Sequence, residues 1–70
     1  MDAKARVEME LKELREKILK LDNFLALYSP VNSTVSEIQY GLLRAQLHSM
    51  RAYAIILELR LEYWEGALKL

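Results

Sequence analysis

The chain has 70 residues, no cysteine, a single histidine (His48) and a formal net charge of zero from ten basic and ten acidic side chains. That rules out disulfides and a thiolate zinc site and leaves too few ligands for a metal centre. The even charge balance, kept within each half of the chain, lacks the basic footprint of a DNA or RNA binder or of a membrane-surface helix.

Hydrophobic residues make up 53% of a chain that is long enough for one small core. Such cores rarely supply more than about 3–5 kcal/mol, and with disulfides and metals excluded the remaining remedy is association with other copies. Charged and apolar residues alternate through the first twenty positions, unlike a secretory signal. The densest apolar stretch, Ala52 to Leu61, is broken by Glu58 and Arg60 and falls short of the roughly 18 uncharged residues of a membrane span. A soluble, cytoplasmic protein without a cofactor is expected.

In chain order, the first element is a helix over about residues 3–28. Val7, Leu11, Leu14, Ile18, Leu21, Leu25 and Tyr28 recur at 4-3 spacing, the seam of a helix packed lengthwise on another. The outer face pairs Glu8 with Lys12, Glu13 with Lys17 and Glu16 with Lys20, so this helix reads as one-sided. Pro30 disfavours helical geometry in Ser29, and residues 29–35 read as a loop.

The second helix is expected over about residues 36–68. Ser36 with Gln39 forms a capping box, with Val35 and Tyr40 at the staple positions, and Thr34 with Glu37 is a competing box two residues earlier. A seam runs through Tyr40, Leu43, Leu47, Met50, Ala54, Leu57, Leu61, Trp64 and Leu68. A short loop makes the two helices antiparallel, so the fold class is an all-α, two-helix hairpin of coiled-coil type. The isolated Gly41 costs a helix about 1 kcal/mol relative to alanine, which points to a close helix contact near the turn.

The second helix carries another stripe at the same spacing: Ile38, Leu42, Ala45, Ser49, Ala52, Ile56, Leu59 and Tyr63. In a lone hairpin this face would stand in water as a contiguous apolar patch. Its small centre would let two backbones approach, so it is the expected interface between copies, with this helix as the central spine.

No catalytic constellation is present. There is no cysteine nucleophile, the serines before Ser49 fall in the loop or its cap, and His48 has no carboxylate within one turn to orient it. Glu58 and Glu62 lie one turn apart, a weak cation site by themselves. Arg44 and Arg51 stand one heptad apart on one flank of the seam, with Tyr53 and Arg60 on the other. Arginines beside aromatics can hold phosphates and stack on bases; the alternative is that Arg44 and Arg51 pair with acids of the first helix. His48 reads as a surface or interface residue, or as a ligand contact. Tyr28, Tyr40 and Trp64 read as core.

The run from Leu42 to Leu61 resembles a family of very small phage-encoded proteins named after a crAss-like phage member. Its second-helix pattern is met by Leu42, Leu43, Gln46, Leu47, Met50, Tyr53, Ile56, Leu57, Arg60 and Leu61, and its first-helix pattern by Leu14, Lys17, Ile18, Leu21, Phe24 and Leu25. The loop departs from the family's acidic, compact form, with Pro30, Val31, Asn32, Ser33 and Thr34 instead.

In size and hairpin design this family is similar to phage sponge proteins that oppose CBASS and Thoeris immunity by holding cyclic nucleotide signals between subunits. Fold is a poor guide to function, and none of their binding residues carries over by motif. The resemblance implies a homo-oligomer in an infected bacterial cell that sequesters a cyclic oligonucleotide or cyclic ADP-ribose-type signal. Arg44, Arg51, Tyr53 and Arg60, with His48, are then the candidate ligand residues. The competing expectations are a protein-binding inhibitor or adaptor, and a small virion or scaffold component.

Overall fold

A computed structural model describes residues 2–28 and 35–64. The expected loop at positions 29–34, the Thr34 cap and the second helix beyond Trp64 lie outside the described residues. Two helices are present, α1 (Ala3–Ala26) and α2 (Glu37–Glu62).

Each helix starts on a side-chain cap that satisfies an otherwise orphaned amide. Asp2 accepts from the Ala5 amide at 2.7 Å, and Ser36 accepts from the Gln39 amide at 3.1 Å. Ser36 is thus the N-cap of α2, as the Ser36–Gln39 box implies. α1 closes with a tightened turn in which the Leu27 and Tyr28 amides donate to the Phe24 and Leu25 carbonyls, both at 3.2 Å. Arg60 in the last turn of α2 suits the negative end of the helix dipole.

The side-chain links run in opposite order along the two helices: Arg15 with Glu58, then Asp22 with Arg51. The pair is therefore antiparallel, an elongated hairpin with extents of 51 × 18 × 15 Å. Its core is the pair of 4-3 seams. Val7, Leu11 and Leu25 of α1 and Leu47, Ala54 and Leu57 of α2 are buried, and Leu57 is 0% exposed. Leu14, Ile18, Leu61 and Trp64 pack against the cluster of Val7, Leu11, Ala54 and Leu57, which places Trp64 with the core.

The second stripe of α2 stands open in the single chain. Ile38 is 77%, Leu42 60% and Tyr63 69% exposed, and Ile56 and Leu59 are also exposed. Between them lie Ala45, Ser49 and Ala52, all exposed. The Ser49 hydroxyl donates to the Ala45 carbonyl at 3.1 Å, so covering the middle of this face would not strand it.

Two expectations need correction. α1 is less one-sided than its charge pattern implies, because Leu19 and Phe24 lie off the seam and are exposed. The close contact expected at Gly41 is not made within the hairpin: a Cβ built there meets nothing within 4 Å. Gly41 sits on the side of α2 turned away from α1, so the packing of these two helices gives no reason for a glycine.

A cation and aromatic groove at the turn end of the hairpin

The candidate site follows from the register of the two helices. Arg15–Glu58, at 2.7 Å, and Asp22–Arg51, at 3.0 Å, form an ion-pair ladder along one flank, one heptad apart on each helix. The next step along α2 is Arg44, but α1 has already ended at Ala26. No carboxylate of the described residues pairs with Arg44, and its guanidinium lies over the Tyr40 ring, 5.9 Å from the centroid. Tyr40 in turn stacks on Tyr28, with centroids 4.0 Å apart and planes inclined by 20°. Such an offset aromatic pair is worth about 0.5–1.5 kcal/mol beyond its burial. It ties the last residues of α1 to the first turn of α2 and fixes the ring beneath Arg44.

These groups border an open groove of about 320 Å³. α1 contributes Asp22, Leu25 and Ala26, and α2 contributes Tyr40, Arg44, Leu47, His48 and Arg51. Arg44, His48 and Arg51 recur at i, i+4 and i+7, so one face of α2 presents a row of two guanidinium groups and an imidazole. Leu25 and Leu47 make the apolar floor. The volume is at the small end of the 300–1,000 Å³ range of small-molecule sites.

Of the five ligand residues expected from the sequence, the groove brings together Arg44, His48 and Arg51. Tyr53 and Arg60 stand on the opposite flank of the seam. There the Tyr53 hydroxyl donates to a Glu10 carboxylate oxygen. That hydrogen bond is the main reason the Tyr53 phenol is held above its ordinary pKa; desolvation and the Glu10 charge add to it, and Arg60 opposes it. The Arg60 Nε is buried without a hydrogen-bond partner among the described residues.

The pairing alternative posed for the arginines holds for one of them. Arg51 pairs with an acid of α1, whereas Arg44 does not. Tyr40 is both a core stacking partner and a wall of the groove. Asp22 and the Glu10 partner of Tyr53 were not anticipated. The signal for Asp22 was available: Arg15 and Asp22 on α1 mirror Glu58 and Arg51 on α2, with the same spacing and opposite charges in antiparallel order.

Fold and groove together define a small helical-hairpin protein whose single chain offers cations, an aromatic face and an apolar floor, an arrangement for binding. No helix among the described residues is long and apolar enough to cross a membrane. The chain belongs to the Sequestin family, whose model matches residues 1–63. The family's name points to the binding and retention of a molecule rather than its turnover. No curated protein and no solved structure matches the chain.

Proposed function

We propose that this protein binds and holds a small phosphate-bearing signal of the cyclic nucleotide class without transforming it, and does so as an assembly of copies. The observation that carries the reading is Arg44, a cation with no acid opposite it among the described residues, held over Tyr40 at the edge of a groove that also presents His48 and Arg51. A guanidinium forms paired hydrogen bonds to phosphate and offers a flat face for a base. No orienting carboxylate is hydrogen-bonded to His48, which suits a contact more than a catalyst. In an infected bacterial cell, the setting implied by the phage resemblance, retention of a signal would lower its free concentration and blunt an immune response.

Association is supported by the surface the hairpin leaves open. Ile38, Leu42, Ile56, Leu59 and Tyr63 stand exposed along one stripe of α2, the kind of apolar patch that marks an interaction surface. The stripe from Ile38 to Tyr63 is where the second copy is placed, and the groove is bounded by one hairpin on one side only.

Thermal denaturation in the presence of cyclic dinucleotides, cyclic trinucleotides and cyclic ADP-ribose isomers tests the proposal. Binding to the folded state alone stabilises by about 2.7 kcal/mol at a hundredfold excess over Kd, which raises a small domain's midpoint by several degrees for at least one member. Flat curves across the panel would overturn it. The exposed apolar stripe favours a second reading, an inhibitor or adaptor that docks on another protein. Flat curves, a monomeric mass at micromolar concentration and specific capture of one protein would together support that reading instead.

A further inference from the structure

Asp22 is the one carboxylate among the groove's lining residues, and it occupies Arg51 at 3.0 Å. A site made for polyanions would gain from keeping an acid out. Here the acid takes up one of two cations and leaves Arg44, which has no carboxylate partner among the described residues, for a ligand. An ionised carboxylate accepts hydrogen bonds only, and its two oxygens have more acceptor positions than one Arg51 N–H can fill. The Asp22 side chain is 51% exposed, so those positions are open to a ligand. The groove is thus polarised, with a cation and an aromatic ring at the Arg44–Tyr40 end and a fixed acceptor at the Asp22–Arg51 end. Arg44 and Arg51 are two helical turns apart, roughly 10 Å along the axis.

Resting on the nucleotide reading above, we infer that the groove selects a ribose phosphate: one phosphate on Arg44, and free ribose hydroxyls donating to Asp22, which Arg51 holds in place. Acidic side chains take this role toward ribose hydroxyls in dinucleotide-binding folds. A hydrogen bond to a charged carboxylate discriminates against the ligand that lacks the hydroxyl, by less at this half-exposed position than in a buried site. The same carboxylate repels a phosphate placed at that end, so free inorganic pyrophosphate, which has no hydroxyl to donate to it, is a poor ligand.

The test titrates the full chain with adenosine 5′-monophosphate, its 2′,3′-dideoxy counterpart and inorganic pyrophosphate. Wild type is compared with Asp22→Asn and with Arg15→Gln, which removes the neighbouring ion pair of the same ladder. Half-exposed ion pairs contribute little to folding, and far-UV circular dichroism checks that both variants fold. Wild type and Arg15→Gln are expected to prefer the ribonucleotide by about tenfold, the scale of one lost hydrogen bond to a charged group. Asp22→Asn is expected to bring the two nucleotides within about twofold and to bind pyrophosphate more tightly than wild type. Equal binding of the two nucleotides by wild type, or a preference that survives Asp22→Asn, overturns this inference and leaves the nucleotide reading standing. Failure of every nucleotide, cyclic ones included, overturns both.

Discussion

Ile56 and Leu57 are neighbours in sequence, about 100° apart around α2, with Leu57 in the hairpin core and Ile56 on the open stripe, so truncating each to alanine separates the core from the proposed interface. Leu57 is 0% exposed; a Leu→Ala change at such a site costs about 2–5 kcal/mol. That is most of what a core of this size supplies, about 3–5 kcal/mol, and Leu57→Ala should be largely unfolded whatever the assembly does. Ile56 is 51% exposed in the single chain. In an isolated hairpin its truncation forfeits at most about 1 kcal/mol of burial, and alanine's better helix propensity returns about 0.4 kcal/mol. The net effect would be close to zero. If a second copy covers the stripe, Ile56 is a core residue of the assembly and Ile56→Ala costs about 2 kcal/mol or more. Urea unfolding followed by far-UV circular dichroism at low and high micromolar chain concentration distinguishes the cases. The expected result is a wild-type midpoint that rises with concentration and a lower midpoint for Ile56→Ala. A concentration-independent midpoint that Ile56→Ala leaves unchanged would refute self-association through this face.

Ser36→Ala removes the cap on α2 and should cost about 1 kcal/mol, read as a lower urea midpoint without a change in slope. Gly41→Ala meets open space and should stabilise a lone hairpin by about 1 kcal/mol; a lower midpoint would instead mark Gly41 as a contact between copies. Tyr53 keeps its proton to a higher pH in the folded state than in the unfolded chain, chiefly through its hydrogen bond to Glu10. That contribution is complete below the unfolded tyrosine pKa of about 10 and is lost as pH rises through the folded value. Midpoints measured from neutral to strongly alkaline pH should fall less steeply for Tyr53→Phe than for wild type, and parallel curves would contradict the assignment.

The hairpin was legible because its determinants are local and periodic. Two 4-3 seams, a proline after the first and a serine box before the second leave few other ways to bury Leu11, Leu47 and Leu57. The apolar stripe was legible for the same reason, as a second period on one helix. What could not be read directly was register. Whether Arg51 meets Asp22, and whether Arg44 meets any acid, depends on where α1 ends relative to α2. Arg44 and Arg51 do share one flank, as their heptad spacing implies, but their inequivalence was not foreseen. Asp22 was missed because an acid looks unpromising beside a phosphate site until its partner is known. Tyr40 was assigned to the core from its seam position, and a residue at the end of a seam can serve the core and a groove together. Gly41 shows the opposite limit: its cost in a helix is plain from the sequence, whereas its reason is not found within one hairpin.

The central claim, retention of a nucleotide on the Arg44 groove, is tested most directly by calorimetric titration of the panel nucleotide that gives the largest thermal shift, with recovery of that nucleotide after release. Saturable heat is predicted for wild type, at least about tenfold weaker binding for Arg44→Gln, as expected for loss of a charge-assisted phosphate contact, and chemically unchanged ligand. Undiminished affinity in a folded Arg44→Gln variant, or a ligand released in altered form, would contradict the account.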